Sequence, residues 1–160
     1  MPATPILTIP GAERLLSALE ELLDKSEARY ALIIDRAGFV ISQHGDLPRS
    51  TDASTVAALA AGSFAATSEL AARVGELEFS ALYQQGKHCH LLMNAVDSDI
   101  VLVTVFGSNT TIGLVKFYSA RTVRQIAAVM DEMRNTPVTE PVFTEQDAAD
   151  ATSGTPLFPE

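Results

Sequence analysis

One cysteine, Cys89, is all the chain contains, so no disulfide can close within it, which fits a reducing compartment. Positive charge is also scarce: 11 lysines and arginines stand against 20 aspartates and glutamates, a net charge of −9. Nucleic acid demands a basic stripe that neutralises phosphates, and an anionic membrane surface attracts the same residues, so the balance argues against both partners. No apolar run approaches the roughly 20 residues that cross a bilayer, so membrane insertion is not expected. The opening segment MPATPILTIPGAER has no basic stretch ahead of an apolar one, and its first positive residue is Arg14. A secretory signal is therefore not expected, and the chain reads as cytoplasmic. Missing as well are a glycine-rich phosphate loop, a G-x-S-x-G nucleophile elbow and an H-E-x-x-H metal pair.

What is present is enough for one domain. The 160 residues are 47% hydrophobic and 19% charged, the composition of a globular chain with a real core. The most informative segment is Asp52–Val74, a helix with almost no face for water. At about 100° per residue, Val56, Leu59, Thr67, Leu70 and Val74 share one broad apolar side, with Phe64 at its edge. The neighbouring arc holds only the small residues Ala57, Ala58, Ala61, Ala65, Ser68 and Ala72, and charge is confined to Glu69 and Arg73. The plain reading is a helix inside a two-layer core. The preferred reading places the large apolar side on the chain's own sheet and leaves the smooth side for a second protein chain.

The remaining elements follow from periodicity. Pro10-Gly11 opens a first helix whose Leu15, Leu16, Leu19, Leu22 and Leu23 form a buried stripe. Tyr30–Ile34 is a continuously apolar strand, Asp35–Gly38 a tight turn, and Phe39–Ser42 the returning strand. After a polar loop, Asp52 or Ser54 caps the small-residue helix. Leu77–Gln84 alternates like a half-exposed edge strand, followed by strands His88–Val96 and Ile100–Phe106, the last apolar throughout and hence central. A final helix, Ile112–Arg134, buries Val115, Tyr118, Thr122, Ile126, Val129, Met130 and Met133. Residues 1–10 read as a flexible lead, 11–134 as the domain and 135–160 as a disordered tail. That tail has five acids (Glu140, Glu145, Asp147, Asp150 and Glu160) and no base. Its only apolar points, Pro141-Val142-Phe143 and Pro156-Leu157-Phe158, are candidate docking motifs.

Chemistry is hard to find. His88 and His90 share a strand face while Cys89 points the other way, and His44 is the only further histidine. A closed zinc site needs four ligands and no second cluster exists, so no metal site is expected. Cys89 lacks a positive pocket and is not expected to be a nucleophile. Asp97/Asp99 and Glu20/Glu21 lie in a turn and on a wet helix face, so no catalytic acid or base is assigned. Arg29, Arg36 and Arg49 lie in or beside loops, a placement from which an arginine can enter another protein's phosphate site, but exposed arginines are common and the role is not assigned. No cofactor is expected.

The hairpin ALIIDRAGFVIS, the small-residue helix TVAALAAGSFAATSEL and the closing stretch TTIGLVKFYSARTVRQIAAVM resemble the roadblock (dynein light chain) family. Within that family the chain is most similar to the MglB-like bacterial regulators of Ras-like GTPases, over Glu13 to Met133. The resemblance implies an α+β domain of order αββαβββα: a five-stranded antiparallel sheet with the middle helix on one face and the terminal helices on the other. It implies a homodimer made by pairing the middle helices and joining the third strands. That assigns Ala57, Ala61, Ala65, Ser68 and Ala72 to helix pairing, and Leu77, Phe79, Ala81 and Tyr83 of the edge strand to pairing with a twin. It further implies a small Ras-like GTPase as partner, whose hydrolysis is accelerated by a shift of its switch segments, with no catalytic residue donated. Phe64, Glu69, Arg73 and Arg49 are the residues chosen here for that contact. The roadblock fold also serves as a scaffold in motor, polarity or signalling complexes, which is the second expectation. A sensor domain holding a small ligand between sheet and helices is the third.

Overall fold

The computed structural model describes residues 5–136. The tail and its two candidate docking motifs lie outside the described residues, as do the first four residues of the lead.

Three side-chain caps start the three helices. Thr8 accepts from the Gly11 amide and begins α1 (Ile9–Ser26). Asp52 accepts from the Thr55 amide at 2.7 Å and begins α2 (Ala53–Arg73). Thr111 accepts from the Leu114 amide and begins α3 (Ile112–Asn135). Each satisfies one of the amides that the first helical turn leaves without an internal partner. The strands are β1 (Tyr30–Asp35), β2 (Val40–Gly45), β3 (Ala81–Gln85), β4 (Cys89–Ala95) and β5 (Ile100–Gly107). They form one antiparallel sheet in the order β2-β1-β5-β4-β3, so the α+β architecture expected from the sequence is the one observed.

Strand alternation splits the core between the two faces. Ala31, Ile33, Ile100 and Leu102 meet Leu15, Leu19 and Leu22 of α1 and Ile126, Val129, Met130 and Met133 of α3. Tyr30, Leu32, Ile34, Met93, Val101 and Val103 meet α2 on the other side. β1 and β5 are covered on both faces along nearly their whole length, which is why Tyr30–Ile34 is apolar throughout and β5 is apolar apart from the buried Thr104.

Two expectations are corrected. The edge strand is shorter than Leu77–Gln84: pairing begins at Ala81, and Leu77 stands fully in solvent. The cause lies in β4, which ends at Ala95, where Val96 turns back to bond Ile100. The ladder bond from the Ala95 amide to Ser80 is the last one available, and Glu78 instead reaches Arg36 at 3.1 Å.

The second correction concerns which side of α2 meets the sheet. Ala57, Ala60, Ala61, Phe64 and Ala71 are the buried residues of this helix, whereas Leu59, Leu70 and Val74 are exposed. Ala57 and Ala61 of the small side face inward together with Phe64, while Ala58, Ala65 and Ala72 of the same side stay exposed. Gly38, at φ +93°, lies against this helix: a Cβ there would stand 3.0 Å from the Ala58 Cα, so the β1–β2 turn leaves no room for a larger residue at that point. By length and composition alone α2 is also apolar enough to cross a membrane, unlike the expectation from the sequence. Its apolarity serves instead to fill the sheet side with alanine and phenylalanine while a second flank remains uncovered.

Candidate protein-contact surface

Seen from the sheet, α2 has two flanks. The flank near β2 carries Ala58, Ala65 and Ala72, all exposed, with Ser68 half-buried and its hydroxyl donating to the Phe64 carbonyl. The flank toward β3 carries Val56, Leu59, Ser63, Thr67, Leu70 and Val74. A shallow groove of about 200 Å³ separates this flank from the sheet, lined by Val56, Leu59, Ala60 and Ser63 with Gln84, Leu91 and Met93. Leu59 is 68% exposed, Leu70 56% and Val74 62%. Just beyond lies β3, bonded to β4 on one side only, with Ala81 exposed and Phe79 and Tyr83 half-buried. Exposed Leu59, Leu70 and Val74, spaced along the flank with Ser63 and Thr67 between them, together with an open strand edge are features of the kind that mark protein contact.

The residues assigned from the sequence therefore divide. Ala57 and Ala61 are packed on the chain's own sheet, and so is Phe64, which is 1% exposed. All three contribute to the core between α2 and the sheet rather than to the exposed surface of this chain. Leu77, Phe79, Ala81 and Tyr83 stay beside or on the open edge, as do the exposed Ala65 and Ala72 on the helix. Glu69 and Arg73 form an exposed ion pair at 3.1 Å one turn apart, and Arg49 is exposed on the β2–α2 loop. The structure does not bring Arg49 into contact with that pair. Arg36 is held in place: it donates to the Asp97 carbonyl at 3.0 Å and to Glu78, and its guanidinium lies 4.7 Å from the centre of the Phe64 ring.

At the start of β4, His88 is exposed just before the strand and His90 is half-buried within it. His90, Tyr83 and Phe106 form a three-ring cluster in which each ring stacks on the other two, and the His90 Nδ1 lies 3.2 Å from the Tyr83 hydroxyl, while Cys89 is exposed. Among the described residues no group of histidine, cysteine and acidic side chains is arranged to hold a metal ion. Sequence reasoning missed two arrangements. One is this aromatic stack. The other is the pinning of the β4–β5 turn by Arg134, 3.0 Å from Asp97. Neither has a local pattern, since only the strand order brings residues so distant in sequence together.

The class that this arrangement defines is a three-layer α+β domain, one sheet with α2 on one face and α1 and α3 on the other. The chain belongs to the Roadblock/LC7 domain family, whose model matches residues 15–106. Its fold is shared by an MglB of tetrameric arrangement, 33% identical, covering 83% of this chain and 99% of that one with a TM-score of 0.77. The gliding protein MglB of Thermus thermophilus is 34% identical, covering 82% and 99%, with a TM-score of 0.76. Myxococcus xanthus MglB is 25% identical, covering 84% and 99%, with a TM-score of 0.75. No curated protein matches the chain.

Proposed function

We propose that this chain is a homodimer that regulates a small Ras-like GTPase, accelerating GTP hydrolysis by biasing the partner's switch segments. The observation that carries the reading is the row Leu59, Leu70 and Val74 exposed on α2 beside the unpaired edge of β3. A twin covers both features at once: α2 packs against α2 through Leu59, Ser63, Thr67 and Leu70, and β3 joins β3 near Ala81 and Tyr83. Leu77 and Phe79 flank that junction. Ala65, Ser68 and Ala72, with Glu69, Arg73 and the loop residue Arg49, are left facing outward for the GTPase. The GTPase comes from the likeness to MglB-like regulators, which this chain matches over nearly the whole length of their structures.

The test measures GTP turnover and nucleotide release by the Ras-like GTPases of the same cell, with and without the full chain. A concentration-dependent rise in hydrolysis by one of them is expected, and Leu70→Glu abolishes it along with dimer mass. A dimer that changes neither hydrolysis nor nucleotide release for any of them sinks the regulator reading and favours an adaptor. A chain that stays monomeric at high concentration sinks the dimer.

A further inference from the structure

The outer side of α3 is unlike the rest of this acidic molecule. From Ile112 to Ala128 the helix contains Lys116, Arg121 and Arg124 and no acid, within a chain of net charge −9. Phe117 is 66% exposed in the middle of this stretch, and Leu114 is 38% exposed one turn before it. Phe117, Ala120 and Arg124 recur at helical spacing, so they lie on one strip, with Leu114 and Lys116 bordering it. Arg121 leans toward α1, where Glu21 lies 3.8 Å away and also pairs with Lys25 at 3.0 Å. Among the described residues neither Lys116 nor Arg124 has an acidic partner within ion-pair distance. An aromatic ring bordered by two uncompensated cations fits an acidic peptide with apolar anchors.

Residues 137–160 have that chemistry. They carry Glu140, Glu145, Asp147, Asp150 and Glu160 with no base, and their aromatic residues are Phe143 and Phe158. We infer that this terminal segment of the same chain docks along the outer strip of α3, its carboxylates on Lys116 and Arg124 and Leu157-Phe158 against Phe117. The reach suffices. Along the helix, Arg124 lies about 18 Å and Lys116 about 30 Å before Thr136 at the rise of an α-helix. An extended chain carries Asp147 about 36 Å, Asp150 about 46 Å and Phe158 about 70 Å beyond Thr136. Tethering also supplies an effective concentration on the order of millimolar, so a weak contact is occupied in cis without affinity enough to hold a free peptide. The docked segment occupies the α1/α3 side of the sheet, on the face opposite α2, so it leaves the proposed helix-pairing surface free.

The experiment uses the full chain with Cys89→Ser and a nitroxide on Ser153→Cys, and reads paramagnetic broadening of α3 backbone amides. Broadening along residues 114–128 is expected. It is lost in Lys116→Glu/Arg124→Glu and equally in Asp147→Lys/Asp150→Lys, and it returns when the two pairs are combined. Amide spectra that keep their dispersion verify folding of every variant. Three results overturn the inference: no broadening on α3, broadening that ignores the charge swap, or broadening that arises only between differently labelled subunits. Perturbation of these amides by phosphatidylglycerol vesicles, with none from the label, assigns the strip to a lipid surface instead.

Discussion

Phe64 shows how one side chain changes meaning between sequence and structure. It sits at the edge of an apolar arc in the sequence, which suggests a partner contact, but it is 1% exposed with Arg36 stacked over its ring. Truncation to alanine opens a cavity under α2 and removes the ring that Arg36 lies on. Phe64→Ala is expected to cost about 3–5 kcal/mol, read as a lowered urea midpoint with an unchanged slope. Asp52 acts by charge rather than bulk. Its hydrogen bonds from Thr55 hold its carboxyl below the ordinary aspartate value. A depressed carboxylate stabilises the fold above its unfolded value and loses that contribution as pH falls through its folded value. The melting temperature of the protein should therefore exceed that of Asp52→Ala at neutral pH, and the gap should begin to narrow at the ordinary aspartate value and largely close once the pH is below the depressed value of the folded state. A gap independent of pH assigns the effect to something other than the carboxylate.

The element that decides the surface is α2, and it also marks the limit of what sequence patterning tells. Element order, sheet membership and most of the buried stripes of α1 and α3 are legible because each has one apolar side of the right period, although Leu16 of the expected α1 stripe is exposed and Leu23 and Tyr118 are only half-buried. On α2 two apolar sides compete, and a helical wheel groups residues by side without saying which side the sheet takes. The contacts of the inward side are long-range: Phe64 lies against Arg36, and the turn that bears Gly38 comes within contact distance of Ala58, and no local pattern encodes either. The strand at Leu77–Ser80 fails for a similar reason, because its pairing depends on where β4 stops. Two substitutions separate the two sides. Ala61→Glu places a carboxylate on the sheet face and is expected to lower thermal stability severely, or prevent folding, through burial of an unpaired charge. Leu59→Glu sits in solvent in the isolated subunit and should leave circular dichroism unchanged while halving the mass seen by light scattering. Ala61→Glu as stable as the parent contradicts the inward placement of that side.

Across the whole molecule, stability and association are linked in the proposed dimer. A partner that binds only the folded state raises the melting temperature with concentration, so the thermal midpoint should climb as protein is added and flatten in Leu59→Glu. A concentration-independent midpoint in the parent speaks against association. The basic side of α3 and the apolar side of α2 lie on opposite faces of the sheet, so disturbing one should not alter the readout of the other.

The order β2-β1-β5-β4-β3 gives the sheet two unlike ends. The β2 end is bulged against Ile33 and Ile34 and carries the polar run Ser42-Gln43-His44-Gly45, a poor template for further strands. If like joins like at β3, each copy spends its single receptive border on its twin. What remains exposed is a blunt margin at either extremity, and growth into a fibre is arrested after one step.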